Sequence, residues 1–131
     1  MAQEPGGKRI PAIDELDLGR LVEKARDLYK WDEARAREAE EWYRNFLFLC
    51  HQTGRPVAAI ARDADDLWHL HILDTRKYQA DCQAIFGRFL DHQPFYERTD
   101  AERRLIEETR ELYEREFHRL PENLDGVSFG F

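Results

Sequence analysis

Apolar residues recur at three- and four-residue steps along most of this chain, the spacing of helices that bury one face. The spacing predicts a helix from Ile13 to Lys30, carrying Leu18, Leu21, Val22, Ala25, Leu28 and Tyr29. Trp31-Asp32 reads as a junction, with Asp32 as N-cap of a second helix from Glu33 to about His51. Ala39, Tyr43, Phe46 and Cys50 form its stripe, widened by Trp42, Leu47 and Leu49. "TGRP", Thr53 to Pro56, ends it: Gly54 suits a left-handed cap, and Pro56 blocks continuation. "VAAIA", Val57 to Ala61, reads as a buried connector. A central segment then starts at Asp63 or Asp65 and stops at Gly87, with Trp68, Ile72, Tyr78, Cys82 and Phe86 on its apolar side. "RFLDHQPFYER" reads as a loop. Thr99-Asp100-Ala101-Glu102 is a capping box that opens a last helix to about Leu120, stopped by Pro121 and lined by Leu105, Thr109, Leu112, Tyr113 and Phe117. No stretch alternates apolar and polar residues, so no strand is expected.

The fold class that follows is all-α: a compact bundle of four to five helices in a single domain. Residues 1–12, polar and holding Pro5, Gly6, Gly7 and Pro11, read as a flexible arm. Residues 13–120 form the helical domain, and residues 121–131 are a tail with two free courses, packing back or dangling.

Composition narrows the function. The chain has 131 residues, 42% hydrophobic and 36% charged, with a net charge of −7. That balance argues against a nucleic-acid partner, which needs a basic face. It also argues against electrostatic docking on anionic membranes. No apolar run reaches the roughly 20 residues of a bilayer span, and the start of the chain lacks the apolar core of a secretory signal. Cys50 and Cys82 are too few for a disulfide framework, which implies free thiols and a cytoplasmic home.

Candidate chemistry collects in "DADDLWHLHILDTRKYQADCQAIFGRFLDHQP", Asp63 to Pro94. It holds three of the five histidines. Histidine is the commonest metal ligand among side chains, and Asp and Cys are its usual companions. On a regular helix His69 and His71 stand about 160° apart, so "HLH" cannot grip one ion. Asp65 and His69, one turn apart, share a face and can chelate together. His71 falls on the apolar stripe and is expected in the core, bonded to a hydroxyl such as Thr75 or Tyr78. His92 can join only if the segment breaks. Along an unbroken helix Phe86 lies about 25 Å from His69, and the six residues onward to His92 span at most about 20 Å. Asp74 is a plausible N-cap for a second helix, which would allow the return. Cys82 and Cys50 sit on apolar stripes, where packing is the better reading.

The order Asp65-x-x-Trp68-His69-x-His71-Ile72-Leu73, then Thr75, Tyr78, Asp81-Cys82, Phe86-Gly87-Arg88 and His92-x-Pro94 resembles the glycine-rich domain-containing protein-like family. "YRNFLFLC" and "TRELYEREF" extend the resemblance over roughly residues 15–119. It implies no settled activity. Eukaryotic members often carry Ser-Pro after the His-x-His-x-Leu segment, which by analogy supports a helix break there. Many bacterial members have a His-His pair where this chain has Asp91-His92, and a Gly/Cys-rich tail that "DGVSFGF" does not match.

Two readings result. One is a site of Asp65, His69, His71 and His92 for a divalent metal ion (zinc, iron or copper), with Trp68, Thr75, Tyr78, Cys82 and Arg88 in support. An enzyme using metal-activated water or oxygen could follow. The alternative is a non-catalytic module in which the same residues form a structural polar network, while Phe89, Phe95, Tyr96 and the aromatic tail meet a protein partner. A small-molecule pocket between helices is a weaker third.

Overall fold

The computed structural model describes residues 9–124 and 128–131. They form helices α1 (Pro11–Asp14), α2 (Gly19–Tyr29), α3 (Glu33–Thr53), α4 (Arg62–Leu73), α5 (Thr75–Phe86) and α6 (Asp100–Phe117), with strands β1 (Val57–Ala59), β2 (His92–Gln93) and β3 (Ser128–Gly130). The fold is mostly helical, as the pattern predicts, with a small sheet that the pattern does not. Each strand has only two or three residues, and β1 and β3 are buried along their whole length. Alternation has nothing to show where no side faces water.

Several boundaries move for identifiable reasons. The first expected helix is two. At the end of α1 the Arg44 guanidinium donates to the carbonyls of Ile13 and Leu16 at 2.6 and 2.9 Å, while Ile13 O takes only a turn bond from Leu16 N–H at 3.3 Å. Asp17 Oδ1 then accepts from Gly19 N–H at 3.0 Å and starts α2. Part of the expected arm is also pinned: Arg9 donates to Asp14, Glu41 and Asn45. Residues 1–8 lie outside the described residues. α3 keeps its expected cap, with Asp32 accepting from Arg35 N–H at 2.8 Å, a bond worth about 1 kcal/mol. The capping box of α6 is present in both directions. α6 closes at Phe117, three residues early, because His118 takes a left-handed conformation with φ 60°.

The central segment breaks at Asp74, whose ψ of 73° ends α4. Its side chain, however, makes no capping bond to α5. α4 starts at Arg62, just before the expected aspartates, where Arg62 N–H donates to the Asn123 carbonyl. Gly87, at φ 68°, then turns the chain back toward α4.

α3 is the axis of the core, burying Trp42, Tyr43, Phe46, Leu47, Leu49 and Cys50. Trp68 of α4, 0% exposed, meets Phe46 with ring centroids 4.7 Å apart. The tail packs back: β3 is the middle strand of the sheet, antiparallel to β1 on one side and β2 on the other. Among the described residues no helix is long and apolar enough to cross a membrane.

Candidate metal centre

Asp65 and His69 lie one turn apart on α4, and His69 Nε2 is 3.4 Å from Asp65 Oδ1. His92 arrives from the other side on β2, and its Nε2 is 3.0 Å from His69 Nε2. One donor atom from each of the three residues falls within 4.8 Å of the others. The His69 side chain is 43% exposed and that of Asp65 11%, so the group opens to solvent at one end and is walled at the other.

The wall is built by the sheet. His92 pairs with Gly130 across the β2–β3 ladder, and its ring stands edge-on to Trp68 with centroids 4.3 Å apart. A Cβ on Gly130 would lie 3.1 Å from Phe46 Cζ and 3.3 Å from Trp68. Glycine lets the middle strand settle closely on these rings beside His92; a larger residue would push the rings aside by a few tenths of an ångström. Two residues further back, the buried Ser128 hydroxyl donates to Asp65 Oδ1. Neither Ser128 nor Gly130 stood out in the sequence. A serine and a glycine among tail aromatics carry no signal until the strand pairing is known.

Electrostatics favour the neutral form of His92. Burial, and secondly the neighbouring His69, pull its pKa down to about 4. Burial raises Asp65, opposed by the Ser128 bond and by His69. A dication reverses both penalties by meeting a lone pair and a carboxylate directly. The spacing fits one. Ligand bonds of about 2.1 Å in a tetrahedron set neighbouring donors about 3.4 Å apart, close to the 3.0 and 3.4 Å found here.

His71, which the metal reading set among these ligands and helical geometry set in the core, lies in the core, apart from the other three. Its Nε2–H donates to Asp81 Oδ2 at 2.8 Å, so its Nδ1 accepts from the Tyr43 hydroxyl at 2.7 Å. Both ring nitrogens are spent, and burial lowers its pKa against the pull of Asp81. The helical twist that separates it from His69 explains the outcome. The hydroxyl it meets is neither Thr75, which is exposed, nor Tyr78.

The other supporting residues hold the walls. Trp68 Nε1–H donates to Tyr78 Oη at 3.0 Å, and that hydroxyl donates to the Leu90 carbonyl at 2.6 Å, leading the chain toward His92. Arg88 Nη1 reaches the carbonyls of Phe89 and Phe131. Cys82 is a buried free thiol whose pKa burial raises, which marks it as packing. Tyr78→Phe strands both the indole N–H and the Leu90 carbonyl. It should cost about 2–3 kcal/mol, read as a lower urea midpoint at unchanged slope.

The UCP032817-like family model matches residues 9–119. The chain belongs to the UCP032817-like family. The resemblance to glycine-rich domain-containing proteins is thereby corrected: the family matched is this uncharacterised one, and no glycine-rich family is shown. The quoted motif residues mostly hold α4, α5 and the returning loop together, so the motif describes packing of the segment as much as its ancestry. The UCP032817-like match takes in Asp65, His69 and His92 but stops short of Ser128 and Gly130. No curated protein and no solved structure matches this UCP032817-like chain.

Proposed function

We propose that the protein binds one divalent transition-metal ion through Asp65, His69 and His92. The observation that carries this reading is the facing pair of imidazole Nε2 atoms, 3.0 Å apart, with a carboxylate oxygen 3.4 Å from one of them. Two histidines and one carboxylate suit zinc with an open fourth position, or iron with open positions on one face, and imidazole also suits copper. Bound there, such an ion would supply Lewis acidity and an activated water at neutral pH. The residues' own part is to fix geometry: α4 supplies two ligands at a helical step, β2 supplies the third, and Ser128 orients the carboxylate.

A second reading has its own observation. The same contacts satisfy themselves without an ion, through a His69–His92 hydrogen bond and the Ser128–Asp65 bond. In that case the cluster is a polar rivet, and the exposed Phe89, Phe95 and Phe131 face a protein partner.

Elemental analysis of the purified protein and of its zinc-, iron- and copper-reconstituted forms separates them. The metal reading expects one ion per chain, lost in His69→Ala and in His92→Ala, with at least a hundredfold weaker binding. Metal-free wild-type protein after reconstitution, with melting temperatures that drop in the same variants, would leave the rivet.

A further inference from the structure

A cavity of about 590 Å3 opens between the first half of α2 and the junction of α4 with α5. That volume suits a small organic ligand. Leu21 and Leu70, each 6% exposed, and Leu73, open to solvent, give it an aliphatic wall.

The rest of the lining is charged, and most of that charge is uncommitted. Lys77 is the exception: its ammonium is 3.0 Å from Asp81, which is not part of the lining. Arg20 and Lys24, one turn apart on α2, hold no carboxylate among the described residues. Asp17 spends one oxygen, Oδ1, on Gly19 N–H at 3.0 Å. Asp74 makes no capping bond to α5. Two cations and two carboxylates therefore line one cavity with no ion pair between them. The cleft beside Trp42 differs. There Arg35 is paired with Asp63 and Arg119 with Glu38, so four of its five charged side chains already answer one another.

This charge pattern selects a ligand class. A simple anion would meet Arg20 and Lys24 but face two carboxylates, and a simple amine would meet the reverse mismatch. A zwitterion answers both, and an aliphatic chain on it covers the leucines. We propose that the cavity binds a free aliphatic α-amino acid. Its carboxylate meets Lys24 and the fork of the Arg20 guanidinium, its ammonium meets Asp17 and Asp74, and its side chain lies on Leu21, Leu70 and Leu73. The proposal does not depend on a metal ion at Asp65, His69 and His92.

The test follows the backbone amide signals of isotope-labelled protein by NMR during titration. The probes are L-leucine, isocaproate, which lacks the ammonium, and isoamylamine, which lacks the carboxylate. L-Leucine should shift the amides of α2 and of the α4–α5 junction saturably. Each analogue should bind about fivefold more weakly, the scale of one solvent-exposed charge pair. Arg20→Gln and Leu73→Ala, both at exposed positions, should weaken L-leucine binding by a similar factor with the melting temperature unchanged. Isocaproate or isoamylamine bound as tightly as L-leucine would overturn the zwitterion, a comparison made on wild-type protein alone. No saturable shift, shifts confined to other parts of the fold, or wild-type affinity in both variants would overturn the cavity as the site.

Discussion

Trp68→Ala is expected to cost about 3–5 kcal/mol, the range for emptying a fully buried Trp site. Trp68 is 0% exposed and joins three parts of the fold. Its ring meets Phe46 of α3 and the His92 ring of β2, and its N–H meets Tyr78 of α5. Gly130 rests on it as well, so the cavity opens beneath the middle strand. The melting temperature should fall by roughly 10–20 °C. Leu73, 76% exposed on the same helix, is the comparison, and Leu73→Ala should stay within about 0.5 kcal/mol. If Trp68→Ala lost no more than Leu73→Ala, the packing described around His92 would be wrong.

The second large effect is acid sensitivity of the chelator-treated protein. His92 has a folded pKa of about 4 against an ordinary value of about 6.5. Between those values the unfolded chain binds the extra proton, so stability rises with pH across the window. The contribution is fully present above about pH 6.5 and is lost as pH falls to about 4. A shift of that size corresponds to at most about 3 kcal/mol, trimmed toward 1–2 kcal/mol by solvent at a half-buried site. Asp65 works the other way, because its raised pKa favours the folded state at low pH. The difference between wild type and His92→Gln isolates the histidine. Urea midpoints at pH 7 and pH 4.5 should converge in the variant relative to wild type. A His92→Gln protein with the full wild-type pH slope would show that His92 ionises freely in the fold.

Much of this architecture is legible in the sequence because helices announce themselves by periodicity and by local caps. Asp32, the Thr99–Glu102 box and the stop at Gly87 each act through bonds or backbone angles within a few residues. The break at Asp74 was legible for a different reason, since chain reach required it if His92 was to meet His69. What stayed hidden depends on partners far along the chain. Arg44, from a neighbouring helix, meets the carbonyls where the first helix ends. Ser128 and Gly130 acquire meaning only through pairing with β1 and β2. His71 illustrates the limit from the other side. Helical geometry placed it in the core correctly, but its actual partners, Tyr43 and Asp81, come from α3 and α5.

The sheet also fixes an order of assembly. β3 lies between β1 and β2, yet it is the last element along the described chain. β1 and β2 have no strand partner until it arrives, and the pairing of β1 with β3, Val57 against Gly130, closes a long loop. Loop closure of that kind is slow relative to the pairing of adjacent helices. α2 to α5 are expected to dock before the sheet closes, with His69 already in place on α4, and the seating of His92 and the Ser128 support for Asp65 to follow with β3. On that order an ion bound at the cluster would act on the rate at which the finished fold opens rather than on the rate at which the helices form.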